Sequence, residues 1–153
     1  MPNKTENRFE GRRRARRRAL QALYQWHLTG QDELEIVRQF MEEQDFKNVD
    51  EEWFRTLLAE VIGTCQAIDE SLQPFLDRPI TRLDIMELLI LRMSANELQN
   101  HPEIPVSVVI DEAIGLAQRF GAEQGHSFVN GVLDKAARKW RRTDAGKKPE
   151  APG

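Results

Sequence analysis

The chain has 153 residues, of which 40% are hydrophobic and 31% are charged, and its formal net charge is −3 at pH 7. This length suits one domain with a self-sufficient core, and the composition is typical of a globular protein. No window approaches the roughly 18 consecutive apolar residues of a transmembrane helix, and no apolar segment follows the basic N-terminus as in a secretory signal. The single cysteine, Cys65, excludes an internal disulfide and favours a reducing, cytoplasmic compartment.

The small net charge conceals a strong separation of charge along the chain. Residues 1–30 contain eight basic and two acidic residues, a net charge of +6, whereas residues 31–60 contain three basic and ten acidic residues, a net charge of −7. This separation indicates a positive docking surface on an otherwise acidic protein.

Apolar residues recur at helical spacing along the chain, and no segment shows the sustained alternation of a strand. The first helix is predicted to end at Gly30. Its inward stripe is formed by Ala15, Ala19, Ala22, Leu23 and Trp26.

A second helix is predicted over residues 32–41, with Leu34, Val37 and either Phe40 or Met41 buried. Asp50 is predicted to cap a third helix, whose apolar face continues to Ile68 before two prolines interrupt the pattern.

Thr81 and Asp84 predict a capping box for a strongly apolar, central helix over residues 83–98. The segment 101–105 predicts a loop, followed by a helix that ends at Gly121. In the last helix, Gly131 is predicted to allow the close approach of a neighbouring helix. The fold class is therefore predicted to be all-α.

Six arginines occupy seven consecutive positions, 12–18, at the start of the first helical pattern. On a helical wheel Arg13, Arg14, Arg17 and Arg18 face away from the apolar stripe, whereas Arg12 and Arg16 flank it and can lie along the core edge. A run of this kind is often only a solvated helix end. However, cations near a helix N-terminus oppose the macrodipole and repel one another, so a binding role is the preferred interpretation.

The type of residue indicates the class of partner. All six are arginines, and the guanidinium group binds phosphate through two hydrogen bonds and stacks on bases. Alanines lie opposite the arginines, where a membrane-surface helix would place large apolar residues. RNA is therefore favoured.

Signals of catalysis are weak. The three histidines are scattered, and the sequence contains neither a cluster with metal-ligand spacing nor a glycine-rich phosphate loop, so no enzyme activity, metal or cofactor is expected. Two hypotheses remain open on the residues alone: an RNA-binding adaptor, and an RNA-processing accessory domain of an enzyme.

Four segments resemble a known family. They are RRRAR with ALQALYQW from Arg12, ILRMSANEL at 90–98, IPVSVVIDEAIGLAQRF at 104–120 and FVNGVLDKAA at 128–137. In this order and spacing they closely resemble the NusB family of bacterial transcription antitermination factors, over residues 11–137.

The resemblance implies a fold of two packed three-helix bundles with about seven helices. It also implies binding to single-stranded boxA RNA of ribosomal RNA transcripts together with NusE, a small-subunit ribosomal protein. Other Nus factors and RNA polymerase would be indirect partners in the antitermination complex.

The resemblance assigns site residues as well. The RNA contacts that it implies are Arg12, Arg13, Arg14 and Arg16, followed by Gln124, Ser127 and Phe128. Arg17 and Arg18 extend the arginine run beyond the family pattern, and we include Arg17 among the RNA contacts. For Phe128, base stacking and a place in the core are equally compatible with the sequence.

Tyr24 and Glu87 match positions on the NusE side. Asn96 stands where the family usually has tyrosine, and Ser127 where it often has a basic residue, which weakens the expected second RNA contact. The domains expected are a flexible segment at 1–10, one helical RNA-binding domain at 11–140 and a disordered tail at 141–153.

Overall fold

A computed structural model describes residues 4–141 of the protein. This range contains no strand, and its seven α-helices confirm the all-α prediction. They are α1 (Lys4–Thr29), α2 (Glu33–Glu43), α3 (Glu51–Gly63), α4 (Cys65–Leu72), α5 (Ile85–Asn100), α6 (Val106–Phe120) and α7 (Gly125–Trp140). Between residues 4 and 141, no helix is both long and apolar enough to cross a membrane.

The helices form two compact units that divide after Cys65. In the N-terminal unit, α1, α2 and α3 pack against one another in pairs. Phe54 of α3 is fully buried, stacked at 6.0 Å on Phe40 of α2 and in edge contact at 5.1 Å with Phe46 of the loop between α2 and α3. Such aromatic contacts fix the position of this loop relative to α3.

Local signals in the sequence predicted two helix ends of this unit correctly, at Gly30 and Asp50. Gly30 ends α1 in the left-handed conformation, with φ of 69°, and its N–H donates to the carbonyl of Trp26 at 2.8 Å. Asp50 caps α3, because its carboxylate accepts from the N–H of Trp53 at 3.0 Å. Asp32 caps α2 in the same way through the N–H of Leu34 at 3.1 Å.

Three details of the N-terminal unit differ from the predictions. Leu34 is 72% exposed, because Ile36 takes the inward position beside Val37 and Phe40. Trp26 is only half-buried. The third helix ends at Gly63, where the Thr64 hydroxyl donates to the carbonyl of Glu60 at 2.7 Å, and a separate helix follows.

The first helix also begins earlier than predicted. Residues 4–10 are helical and continue into the arginine run, with Glu6 in the favourable acidic position of the first turn. The flexibility expected of residues 1–10 stays a prediction, and residues 1–3 lie outside the described range.

The C-terminal unit is built around α5, which packs on both α6 and α7. As predicted for a central helix, every residue from Glu87 to Leu98 is buried. A bidentate ion pair between Arg92 of α5 and Asp69 of α4, with both N–O distances at 2.8 Å, compensates the buried positive charge of Arg92.

The start of α5 corrects the predicted capping box. Thr81 lies in a short 3-10 turn at Ile80–Arg82, and Asp84 itself is the cap, accepting from the N–H of Glu87 at 3.2 Å. Gly131 is likewise not a packing glycine, since it is exposed and no neighbouring helix in the described part of the chain comes within 4 Å of where a methyl group would stand.

Arg141 closes the described part of the C-terminal unit. It was predicted to begin a disordered tail, but it is buried, and its guanidinium donates to the carbonyls of Leu98 at 2.9 Å and Ile104 at 3.0 Å. Further contacts reach the carbonyls of His101 at 3.2 Å and Glu97 at 3.4 Å. Arg141 therefore satisfies the end of α5 and holds the loop that follows it. The rest of the predicted tail, 142–153, lies outside the described residues.

Candidate nucleic-acid interface

Two arginines of the α1 run are part of the packing of the N-terminal unit. The guanidinium of Arg12 lies 4.2 Å from the centre of the Trp53 ring, and that of Arg16 lies 5.8 Å from it. Arg12 is half-buried and also faces Asp50 at 3.8 Å, whereas Arg16 is only 3% exposed. The predicted position of both along the core edge is confirmed. Arg16 offers little surface to a ligand, and its RNA contact stays a prediction.

The other four arginines, Arg13, Arg14, Arg17 and Arg18, form what we call the arginine surface. Arg14 is exposed and the other three are half-buried. The loop between α2 and α3 holds two of them, since Arg14 donates to the carbonyl of Asn48 at 3.4 Å and Arg18 to that of Asp45 at 3.2 Å. These contacts use one nitrogen of each guanidinium and hold positive charge beside an otherwise acidic segment.

The arginine run lies in the middle of α1 and not at its N-terminus, so the helix macrodipole does not disfavour it. Because α1 begins at Lys4, residues 12–18 lie in its middle turns, beyond the reach of the macrodipole at its N-terminus. Repulsion remains, since Arg13 and Arg17, and also Arg14 and Arg18, are one turn apart. Glu10 offsets part of it by pairing with Arg13 at 3.5 Å.

Tyr24 is the predicted partner contact on α1. It is half-buried and lies beyond the arginine surface toward the C-terminus of the helix. Part of the residue is therefore accessible, as a binding role requires.

The second set of predicted RNA contacts lies at the start of α7. Gln124 precedes the helix in the left-handed conformation, with φ of 70°, and both Gln124 and Ser127 are exposed. Phe128 is half-buried, and the guanidinium of Arg78 lies 4.8 Å from its ring centre. Its ring is thus neither a core residue nor fully free. An open groove of about 320 Å³ beside it is lined by Ser127 and Lys135 and by the segment 74–77.

Arg78 is oriented by its neighbour in the chain. Its Nε donates to the Asp77 carboxylate at 2.8 Å, and this hydrogen bond holds the pKa of Asp77 below its ordinary value. The same guanidinium lies over Phe128, so the pair presents a cation on an aromatic ring.

Glu87 lies against the start of α7, beside the predicted RNA contacts of the same unit. Gly125 is buried there, and a methyl group at this position would overlap Oε2 of Glu87. Burial, reinforced by the charge of Asp84, raises the pKa of Glu87 above its ordinary value, and Arg78 only partly offsets this. The structure therefore places a desolvated carboxylate under the backbone that carries Ser127 and Phe128.

Replacing Glu87 with glutamine is expected to raise the melting temperature at pH 7. A carboxylate whose pKa is higher in the folded state destabilises that state as the pH rises through this pKa, and glutamine removes the charge. The advantage of Glu87→Gln should shrink as the pH falls below the ordinary glutamate value of 4.5.

Thermal unfolding of both proteins across this pH range measures the effect. Glu70→Gln, at an exposed position of α4 in the same unit, is the matched control and should show no such pH dependence. A Glu87→Gln protein that is less stable than the wild type at pH 7 would contradict the argument.

Sequence reasoning missed the residues that hold the site residues in place. Trp53 belongs to the apolar face of the third helix, and nothing in its sequence context indicated that it would lie against Arg12 and Arg16. The contact between Arg78 and Phe128 joins residues 50 positions apart, and no local pattern marks it. The charge separation along the chain was the only available signal that the loop between α2 and α3 would contact the arginines.

Comparison with known proteins agrees with the architecture and covers both sets of residues. A family model described as the NusB family matches residues 13–138. A protein of Nitrosococcus oceani is 52% identical over 133 residues, which is 87% of this chain and 89% of the relative. A protein of Alcanivorax borkumensis is 48% identical over 137 residues, which is 90% of this chain and 91% of the relative. Both are named transcription antitermination protein NusB.

A solved structure leads to the same conclusion. NusB of T. maritima superposes with a TM-score of 0.72 at 30% sequence identity, covering 82% of this chain and 89% of that one. The extent of the family match, the identity of the relatives and the shared fold together show that this chain belongs to the NusB family.

Proposed function

We propose that this protein is a non-enzymatic, cytoplasmic transcription antitermination factor. It binds single-stranded boxA RNA of ribosomal RNA transcripts jointly with NusE and helps to assemble the antitermination complex, with other Nus factors, on RNA polymerase. It needs no metal or cofactor for this role. The names of the relatives support antitermination, and the RNA and the partner follow from the resemblance of the site residues to the family pattern.

The observation that carries the proposal is the arginine surface. Four arginines on one side of α1 are concentrated beside an acidic loop that holds two of them through backbone carbonyls. Concentrating like charges on one helix face destabilises the free protein slightly, and a phosphate backbone relieves this repulsion on binding. Guanidinium groups also stack on bases, so the same surface serves an RNA with unpaired nucleotides.

The start of α7 supplies the second RNA contact in this proposal. The cation–π pair of Arg78 and Phe128 offers an aromatic ring beside a positive charge, and Ser127 offers a hydroxyl at the edge of the adjoining groove. An aromatic ring of this kind stacks an unpaired base without demanding a particular sequence. Gln124 lies in the turn just before it and supplies an amide for hydrogen bonding.

Tyr24 and Glu87 are proposed to contact NusE. Tyr24 has the partly apolar, partly polar surface that is common at protein interfaces. Glu87 is buried in the free protein, so a basic group of the partner would have to approach the edge of its carboxylate. Its raised pKa is consistent with a carboxylate that gains from a cationic partner.

Fluorescence anisotropy of a labelled boxA RNA against a scrambled RNA, at two salt concentrations and with or without NusE, tests the proposal. We expect a preference for boxA that increases when NusE is added and weakens at higher salt. Tyr24→Ala is expected to reduce the effect of NusE while leaving binding of RNA alone unchanged. Equal binding to both RNAs, unaffected by NusE, would reduce the arginine surface to a nonspecific basic patch.

A further inference from the structure

Phe9 is an exposed aromatic residue on α1, one helical turn before Arg13. It is 40% exposed, although a large apolar side chain gains most from burial. The guanidinium of Arg13 lies 5.1 Å from its ring centre, and Glu10 pairs with the same guanidinium at 3.5 Å. Phe9 and Arg13 thus form a cation–π pair, and Glu10 helps to hold the guanidinium in place.

This pair lies at the edge of an open groove of about 980 Å³ in the N-terminal unit. One wall is the first part of α1, and the other is the backbone of residues 48–50. The walls are joined by two hydrogen bonds, from the Asp50 N–H to the Gly11 carbonyl at 3.0 Å and from Arg14 to the Asn48 carbonyl. The position of a methyl group on Gly11 would lie 3.5 Å from the Asp50 nitrogen, an ordinary van der Waals distance, so the two walls are in direct contact at this point.

The groups lining the groove suit one unpaired nucleotide. Arg8 and Arg14 are exposed cations that can hold a phosphate, and the side chains of Asn7 and Asn48 carry amides that can bond to a base edge. An exposed aromatic ring beside a guanidinium is the platform on which single-stranded nucleic acids stack their bases. A lipid surface would favour several apolar residues at this place, and Phe9 is the only large one exposed on this part of α1 within the described residues.

We propose that Phe9 and Arg13 form a stacking subsite for an unpaired nucleobase that flanks the RNA element bound by the arginine surface. The inference rests on the proposed function and extends it by one nucleotide position. Because Phe9 precedes the arginine run, the base would lie beyond the end of the core element that the run contacts. The subsite therefore matters only for RNAs that continue past that core.

The test compares a core boxA RNA with the same RNA extended by two nucleotides at each end, without NusE. A 2-aminopurine replaces each flanking base in turn, because stacking on an aromatic ring quenches its fluorescence. The proteins are the wild type, Phe9→Ala and Phe9→Trp. Leu28→Ala is the matched control, since Leu28 is a 63% exposed apolar residue near the other end of the same helix.

With the wild type we expect quenching at one flanking position and tighter binding of the extended RNA than of the core RNA. Phe9→Ala should abolish the quenching and weaken binding of the extended RNA by roughly 5- to 150-fold, the range for one stacked base. Its affinity for the core RNA should not change. Phe9→Trp should retain both the quenching and the affinity, and Leu28→Ala should behave as the wild type.

Two results would overturn the subsite while leaving the proposed function intact. Normal boxA preference with unchanged quenching and affinity in Phe9→Ala would assign Phe9 to another contact, such as self-association. An equal loss of affinity for the core and the extended RNA would assign it to the stability of α1. If the wild type does not prefer boxA over a scrambled RNA, the proposed function fails and the subsite fails with it.

Discussion

Replacing Arg141 with alanine is expected to lower the free energy of unfolding of the C-terminal unit by about 3 kcal/mol. The guanidinium is buried and donates to the carbonyls of Leu98 and Ile104, and it also contacts two more carbonyls, those of Glu97 and His101. Alanine would leave acceptors at the end of α5 buried without donors, and their desolvation is not recovered. For a protein of this size the melting temperature should fall by roughly 6–12 °C.

Chemical denaturation followed by circular dichroism measures the change, and two variants sharpen it. Arg141→Lys should recover only part of the loss, because one ammonium group cannot reach carbonyls that the planar guanidinium bonds from separate nitrogens. Arg138→Ala removes an exposed arginine of α7 that pairs with Asp134 at the surface, and should cost less than about 1 kcal/mol. If Arg138→Ala and Arg141→Ala lowered the free energy of unfolding by similar amounts, the loss would be due to positive charge near the C-terminus and not to the contacts of Arg141 with the carbonyls.

The fold was predictable to the extent that it depends on local signals. Asp50 and Gly30 mark helix ends through hydrogen bonds to residues at most four positions away, so the sequence alone identified them. The inward face of α1 was equally predictable from the sequence, because helical periodicity determines which side chains share a face. Leu34 was assigned wrongly because a short helix with both Leu34 and Ile36 has two apolar directions, and packing against the neighbouring helices selects one.

Contacts that join distant parts of the chain were not predictable. Gly131 was expected to allow close packing, yet Gly125 is the glycine whose missing side chain makes room, for Glu87 of another helix. Arg141 was assigned to a polar tail because its neighbours in sequence are polar, and its partners lie about 40 positions away. In both cases the deciding atoms belong to another helix, and a single sequence without its fold does not specify which helix lies alongside.

The candidate site shows the same division. The wheel placed Arg12 and Arg16 at the core edge, and the structure confirms this, because orientation on a helix is a local property. The helical wheel did not show that Trp53 lies against these two arginines. It also did not show that backbone carbonyls of the loop between α2 and α3 hold Arg14 and Arg18. The sequence therefore identified the charged residues, and the tertiary structure determined which of them remain accessible to a ligand.

Replacing Arg17 and Arg18 together with alanine is expected to weaken binding of single-stranded RNA by roughly 25-fold at 0.1 M salt. Each arginine that neutralises a phosphate of single-stranded RNA contributes about 0.7 to the slope of log K against log salt concentration, so the slope should become shallower by about 1.4. At 1 M salt the contribution of counterion release to the affinity vanishes, so the two proteins should bind equally there. A slope difference of about 1.4 over a tenfold lower salt concentration then corresponds to the roughly 25-fold difference in affinity at 0.1 M. Titrations at four salt concentrations measure both quantities.

The matched control is the double variant Arg38→Ala/Arg55→Ala. This variant also removes two positive charges from the N-terminal unit. Both arginines are exposed, Arg38 on α2 and Arg55 on α3, and Arg55 pairs with Glu51 at 3.1 Å. If long-range attraction by net charge explained RNA binding, the two double variants would lose affinity equally. A change of slope confined to Arg17→Ala/Arg18→Ala would show direct phosphate contact, because counterion release counts the phosphates that are neutralised and not the total charge of the protein. Equal salt slopes in Arg17→Ala/Arg18→Ala and the wild type would exclude Arg17 and Arg18 from the RNA interface.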